Sequence, residues 1–431
     1  MPVKNKRIFS HNALVSKIKN SIKSKVSDKV KKNFSTLDCL MAAFAVFTLK
    51  SPSLLQFEKT IKDDKALLEN LKSLFKIRNV PSDTYMRESL DLVDPRILRI
   101  PFRVLFALLQ RTRVLNTFLF MEEYYLISTD GTGSFSSKNI SCKSCCTKEH
   151  KNGTKTFYHQ SYIGALVHPL TKTVVPFPPT AIQNSDGNQK NDCERNAAKR
   201  FIEDFRREHP HLKAIIVADG ISSNAPFIKI LKENNLRYIL VCKDNDHEFL
   251  IDYFMNSKIK TWEREDKNFI KTYSFLNNAP LNASNEDVRV NVIRYTDFNK
   301  KTERTTTWMF VTDFMVNENN IYELIKGGKS RWKIENETFN TLKNQGYNFE
   351  HNYGHGNKNL HNVFTTLMLL AFLVDQILQL VNETFQKVRK KIGSKRALFE
   401  VMRSYVRCFI FKSLDHLLEF ILGPPMIDLR K

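Results

Sequence analysis

Hydrophobic positions in the first quarter of the chain recur every three or four residues, the spacing of one helix face. Val15, Ile18, Ile22, Val26 and Val30 form such a face in residues 1–34, a stretch with ten Lys or Arg and one acid. That is a basic amphipathic helix. It docks on the body with its lysines in solvent, lies on a membrane surface or contacts DNA, and DNA is preferred because the rest of the chain is not membrane-like. From about 36 to 118 the pattern stays helical with short polar breaks. "LLENLKSLFKIRNVPSDTYMRESLDLV" predicts a helix, a turn and a second helix capped by Ser82 or Asp83. Helix-turn-helix modules share that order, and so do two packed helices.

Near residue 119 the period changes. "EYYLISTDG" is a short apolar, aromatic-rich run ending in Asp130, and "FYHQSYIGALVHP" and "TVVPFPPTAI" follow as two more strands. "NDCERNAAKRFIEDFRREHP" is a helix with a proline stop, and "LKAIIVADG" is a buried strand ending in Asp219. "SNAPFIKILKENN" and "LRYILVCK" add a helix and a strand. Then "FIKTYSF", "VRVNVIRYT" and "TTTWMFVTDF" alternate between polar loops, predicting antiparallel strands. "RWKIENETFNTLK" returns to the helical period, with Trp332, Ile334, Phe339 and Leu342 on its apolar face. A loop with Gly354 and Gly356, the apolar helix "VFTTLMLLAFLVDQILQLV" and a basic helical tail complete the chain.

The order predicts a mixed α/β protein in five parts. Residues 1–118 are expected to form a basic helical DNA-binding domain, 119–255 the first part of an α/β core, and 256–319 a β-rich insertion. Residues 320–385 form the second part of the core with the "RWKIE" helix, and 386–431 a basic helical tail. With 431 residues and 42% hydrophobic content the chain can bury substantial cores. Its net charge of +22 points to a polyanionic partner, nucleic acid before an anionic membrane. The abundance of Lys, Asn, Ile and Phe offers a compositional bias as the bland alternative. The start "MPVKNKRIFSH" lacks a signal-peptide pattern, and Asp375, Gln376 and Gln379 make the long apolar run a core helix rather than a membrane span. Seven cysteines without a regular framework read as reduced thiols in a cytoplasmic protein.

A lone Asp-Gly signals only a turn. Two of them, each ending an apolar strand, place Asp130 and Asp219 at the carboxyl edge of one sheet, where ligands gather in open α/β folds. Glu335, from the later helix, is the third acid of the set, with Glu337 as the alternative. Carboxylates so close repel unless cations fill the gap. Mg²⁺ or Mn²⁺ suits such oxygen ligands, and two ions would clamp both oxygens of a phosphodiester displacement. Taken singly, Asp130 and Asp219 read as turn caps and Glu335 as a partner of Lys333 or Arg331; the strand order and the charge together favour the metal reading.

The strand order, "STDG", "VADG" and "RWKIE" before an apolar helix resemble the ribonuclease-H-like DDE insertion-sequence transposases, the cut-and-paste group with a β-insertion before the final glutamate. The resemblance covers roughly 120–385, with 89 residues from Asp130 to Asp219 and 116 from there to Glu335. It implies a five-stranded ribonuclease-H-like mixed sheet with flanking helices, and Asp130, Asp219 and Glu335 as catalytic metal ligands. It also implies DNA-phosphate contacts by Arg331, Lys343 and Asn336. The group's signature runs Tyr-x2-Arg-x3-Glu-x6-Lys. Here Gly328 replaces the tyrosine, and Lys343 falls eight residues after Glu335 instead of seven. The implied partners are double-stranded DNA, both the element's terminal repeats and its target, and a second copy of the chain on that DNA. No membrane partner is implied, and the implied setting is the bacterial cytoplasm, at the nucleoid. A structure-selective nuclease and a catalytically silent, transposase-derived DNA-binding protein remain open.

Cys142, Cys145, Cys146, His150 and His159 raise the prospect of Zn²⁺, with Cys193 in reserve, but the spacing fits no standard finger. A reduced, metal-free loop is the preferred reading. His351, His355 and His361 read as a polar or phosphate-contacting loop, Trp308 as core, and Trp262 as a stacking platform for an unpaired base. If the positive charge serves DNA, log affinity should fall linearly with log salt, by about 0.9 per phosphate neutralised. A filter-binding titration over a range of salt checks this. A nearly flat line would make the charge a solubility feature.

Overall fold

Serine caps start most of the N-terminal helices. Ser10 opens α1 (His11–Lys23), Ser35 opens α2 (Thr36–Thr48) and Ser53 opens α3 (Leu54–Asp63), each hydroxyl accepting a backbone N–H of the first turn. After α4 (Lys65–Phe75), Ser82 caps α5 (Asp83–Asp91), and α6 (Arg99–Arg111) follows. The computed structural model describes residues 8–26, 34–182, 193–243 and 246–424. α1 buries Leu14, Val15, Ile18 and Ile22 and packs on α6, while Lys23 stays in solvent. The described helix of the basic segment is thus docked; residues 1–7 and 27–33, Val30 among them, lie outside the described residues. α5, the second helix of the helix-turn-helix pattern, buries Met86, Leu90 and Asp91 against the body, and packs on α2.

The sheet begins with β1 (Leu119–Phe120), β2 (Tyr124–Ser137), β3 (Cys146–Glu149), β4 (Lys155–Val167), β5 (Val175–Pro176) and β6 (Thr180–Ile182). Then α7 (Glu194–Glu208), β7 (Ala214–Ala218), α8 (Ala225–Glu233), β8 (Arg237–Cys242) and α9 (Glu248–Met255) alternate. β9 (Lys260–Glu265), β10 (Phe269–Pro280), β11 (Arg289–Asn299) and β12 (Arg304–Thr312) follow as an antiparallel series. All twelve strands belong to one sheet ordered β3-β4-β2-β7-β8-β12-β11-β10-β9, with β1 on β2 and β5 and β6 on β4. β2 runs parallel to β7, and β7 parallel to β8. β7 is buried at every residue, which is why "AIIVA" has no polar alternation.

Two expectations change here. The sheet is larger than five strands, because 256–319 forms no separate layer: β12 pairs antiparallel with β8 and covers an edge otherwise left with unpaired backbone groups. Asp313 fastens the junction, accepting from the Arg237 guanidinium at 2.5 Å and from the Tyr238 N–H at 3.1 Å. In addition, "STDG" does not end its strand. β2 continues seven residues past Asp130 to Ser137, with an irregularity between Gly133 and Phe135.

After the sheet come α10 (Ile321–Lys329), a π-helical turn (Ile334–Phe339) and α11 (Asn340–Asn344). α12 (Leu360–Val381), α13 (Glu383–Ile392), α14 (Lys395–Cys408) and α15 (Leu414–Leu422) end the described chain. α12 is long and apolar enough to cross a membrane, yet it is buried along its length, against α2 and α5 among others. The two ends of the chain share this helical body: α14 packs on α4 and α15 on α1. Asn70 of α4 stitches them, donating to Val406 and Phe409 carbonyls at 2.8 and 2.7 Å and accepting from Phe411 N–H at 2.8 Å.

A buried charge lies at the centre of this body. Lys50, just after α2, donates to Asp375 of α12 and to the Thr48 carbonyl, and sits 4.2 and 4.0 Å above the rings of Tyr347 and Phe399. Tyr347 donates its hydroxyl to the same carboxylate. Removing one member strands the other charge out of water, so Asp375→Leu alone should cost about 3–5 kcal/mol. The double replacement Lys50→Met/Asp375→Leu should recover most of that loss. Urea unfolding of the three variants checks it, and equal losses in single and double variants would refute the pairing.

Candidate active site

The parallel pairing of β2 with β7 sets the site. Ser128 pairs with Val217, the last register pair, so continuing along both strands brings Asp130 beside Asp219 just beyond the end of β7. Side chains alternate across a strand, so Ser128 and Asp130 share one face. Both reach Arg331: Ser128 Oγ donates to its carbonyl at 2.8 Å, and Asp130 Oδ2 lies 3.5 Å from its Nη1. The same Nη1 donates to Glu335 Oε1 at 2.6 Å. One guanidinium therefore bridges the acid of the first strand and the acid of the late helix. The two oxygens can be no farther apart than those two legs combined.

Glu335 does not sit on an ordinary α-helix as the periodicity predicts. It lies in the π-helical turn, where Asn340 N–H donates to the Glu335 carbonyl, five residues back. One residue is gained per turn, and such insertions are frequent at functional sites. Ile334, Phe339 and Leu342 are buried as expected, but Trp332 is 48% exposed, with the Arg331 guanidinium 4.0 Å over its ring. Gly328 also acquires a reason: a Cβ there would lie 2.6 Å from Cε1 of Phe310 on β12, so a tyrosine does not fit.

A fourth carboxylate completes the cluster. Glu194, the first residue of α7, approaches Gly131 so closely that a Cβ there would meet its Oε2 at 2.6 Å. Here the glycine after Asp130 makes room for a carboxylate instead of forming a turn. Its N–H also donates to Asp130 Oδ1 at 2.8 Å. Burial, then the charges of Glu194 and Asp219, push the Asp130 carboxyl up to about 7, against the opposing pull of the Gly131 N–H and Arg331. Glu194 is raised by burial and then by Asp219. On the far side Lys243 Nζ lies 3.2 Å from Asp219 Oδ2. The sequence held one signal for Glu194, an acid in a helix's first turn, but nothing in it tied that helix to Asp130. Ser128 had no signal beyond its two-residue offset.

The remaining expected contacts divide. Asn336 is exposed beside the cluster. Arg331, expected to face DNA, is only 6% exposed and is occupied by the carboxylates. Lys343 pairs with Glu350 at 2.8 Å. Glu337, the alternative third acid, has Lys333 and Lys395 as its charged neighbours. Trp262 lies inside the sheet's aromatic row, stacked on Tyr273 with its Nε1 donating to Tyr322 at 3.0 Å, so it is not set out as a base platform. Trp308 stacks on Tyr295 in the same row.

A second cluster lies at the far end of β2 and β4. Cys142 Sγ, Cys145 Sγ and His159 Nε2 are 3.3–3.5 Å apart, and His355 Nδ1, from the loop after the Glu335 helix, lies 3.7 Å from Cys145 Sγ. Cys146 turns away to the Ile182 carbonyl, and His150 hydrogen-bonds Thr156. His361 stacks on His159 with centroids 3.9 Å apart, and His351 lies edge-on to Tyr353. Of the three histidines, then, His355 in the loop joins the thiols and His361, in the first turn of α12, packs behind them. The Cys142 thiol is driven well below its usual range by its hydrogen bonds with Cys145 and His159, against the effect of burial.

No family model matches the chain, and no curated protein matches it. Among solved structures it is similar to a piggyBac transposase synaptic complex with hairpin DNA. That similarity has a TM-score of 0.38 at 11% identity, and covers 99% of this chain and 83% of that one. At that TM-score the likeness is weak.

A carboxyl held near 7 when folded binds its proton more tightly in the fold than in the unfolded chain, where its value is 3.8. Its contribution thus favours the fold below that lower value and is lost as pH rises towards 7. Without divalent ions, Asp130→Asn should therefore stabilise the protein at pH 8, by about 1–2 kcal/mol, and have little effect at pH 4. Urea titrations at the two pH values check this. An equal effect at both would show that the carboxyl is not strained by its neighbours.

Proposed function

We propose that this chain is a DDE-type DNA transposase that cuts the ends of its element and joins them to target DNA. The observation that carries the reading is that Asp130 lies beside Asp219 across the β2–β7 pairing and shares the Arg331 guanidinium with Glu335. The strand order supports a ribonuclease-H-like core within the larger sheet: β2 at the centre, β4 antiparallel on one side, β7 and β8 parallel on the other. The insertion-sequence assignment rests on the "STDG", "VADG" and "RWKIE" spacing.

The donor set fits Mg²⁺ or Mn²⁺. Asp130, Asp219 and Glu335 supply only carboxylate oxygens, with Glu194 as a fourth, and such hard ligands suit these ions. Asp130 is raised by burial first and then by the like charges of Glu194 and Asp219, as expected of a half-buried site short of positive charge. When bound, two such ions would activate the attacking oxygen and stabilise the leaving one. The chain's own part is positional. Ser128 anchors Arg331, Arg331 orients Asp130 and Glu335, and Lys243 offers a half-exposed cation for a scissile phosphate. Exposed Trp332 and Asn336 border the cluster, where an aromatic face can stack on a splayed base and an amide can reach the backbone. The surplus of +22 supplies the wider attraction to duplex DNA. In this reading two copies act on paired element ends in the cytoplasm, at the nucleoid.

Asp130→Asn, Asp219→Asn and Glu335→Gln should each lower Mg²⁺-dependent cleavage of DNA from the flanks of the chain's own gene by roughly 10²–10³-fold. Binding to the same duplex should persist, and Glu337→Gln should be mild. Cleavage and joining products on sequencing gels, with band shifts for binding, make the check. Cleavage without joining would make the protein a nuclease. Binding without cleavage by the unaltered chain would leave a silent DNA-binding protein.

A further inference from the structure

Three separate parts of the chain meet in the second cluster. Cys142 and Cys145 lie in the loop leading to β3, His159 is on β4, and His355 belongs to the loop between α11 and α12. We propose that these four side chains bind one Zn²⁺ ion in a closed structural site that pins the 351–359 loop to the β2–β4 end of the sheet.

The distances carry it. A tetrahedral zinc with bonds of about 2.3 Å to sulfur and about 2.0–2.1 Å to nitrogen keeps its ligand atoms roughly 3.3–3.8 Å apart. The four close pairs measure 3.5, 3.3, 3.4 and 3.7 Å, and all four atoms lie within 4.8 Å of one another. Two thiols and two imidazoles suit zinc and are a poor set for magnesium or calcium. Four protein ligands leave no open position, so the site is structural, not catalytic. Cys142 and Cys145 are free thiols, as ligation requires.

The surroundings fit a staple. Phe135 stands edge-on to His355 with centroids 4.0 Å apart, and His361 stacks on His159 while Ser134 Oγ holds its Nε2 at 2.9 Å. The other end of the loop is already clamped: Asp91 of α5 accepts the N–H groups of Asn357, Lys358, Asn359 and Leu360 at 2.8–3.0 Å. Zinc would clamp the near end and so hold the start of α12 against the strand that carries Asp130. The zinc site does not depend on the chemistry proposed for the carboxylate cluster.

The full-length chain, purified without chelator, should carry one zinc per molecule by elemental analysis. The cobalt-exchanged protein should show thiolate-to-cobalt charge transfer and tetrahedral d–d bands. Cys142→Ser/Cys145→Ser and His355→Gln should lose the metal, whereas Cys146→Ser and His150→Gln, neighbours turned away from the cluster, should keep it. Chelation should lower the melting temperature of the unaltered chain, a readout that needs no variant to fold. The proposal is overturned by a metal-free chain after both native purification and refolding with zinc. A Cys142–Cys145 disulfide found by mass spectrometry, or full zinc retention in the double serine variant, would overturn it equally.

Discussion

Like charges gathered where β7 ends beside the middle of β2 are the constraint around which this structure is arranged. Asp130, Glu194 and Asp219 crowd one edge, and removal from water strengthens their repulsion. Arg331 reconciles them, because its fork reaches Asp130 and Glu335 at once and its planar geometry holds both. Much nearby structure serves that one side chain. Ser128 fixes its backbone, and the π-helical turn sets the rotation of Glu335 relative to it. Gly328 lets the helix ahead of it lie flush on Phe310.

The helical body solves a related problem by different means. Lys50 and Asp375 are charged groups out of water, tolerated because each has its partner, a hydroxyl or carbonyl, and aromatic faces around it. The carboxylate of Asp91, likewise, satisfies four N–H groups at the start of α12 that no helical carbonyl could reach. These polar locks join residues some 270 to 325 apart in sequence, so the two ends of the chain and the sheet form one connected core. A zinc staple at His355 would be a third lock of the same kind, holding the loop that Asp91 holds from its other side.

Legibility in the sequence followed interaction range. The helix start at Ser82, the unbroken apolar run of β7 and the alternating strands within 269–312 are local signals. Each depends on residues a few positions apart, and each was readable. The charge surplus and the three spaced acids Asp130, Asp219 and Glu335 were equally plain, as was the CxxC pair Cys142–Cys145. Periodicity misled where a local exception intruded: Trp332 was assigned to the buried face, but the π-helical turn just after it breaks the 3.6-residue repeat.

What tertiary structure alone decided was which of these signals meet. A parallel pairing across nearly ninety residues put Asp130 beside Asp219, and α7 brought in Glu194, whose own neighbours in sequence say only that a helix begins. Arg331 is buried between Asp130 and Glu335, and the Asp130 contact joins residues about two hundred positions apart. The basic N-terminal helix could be read as docked on the body or as laid on a polyanion until its apolar face met α6. His355 joined the thiols from 210 residues away. Sequence by itself determined the local elements and the chemical types present, because both are set by near neighbours and composition. Only the folded chain could choose partners, because hydrogen-bond registers and buried charges are satisfied by groups that sequence distance does not reveal.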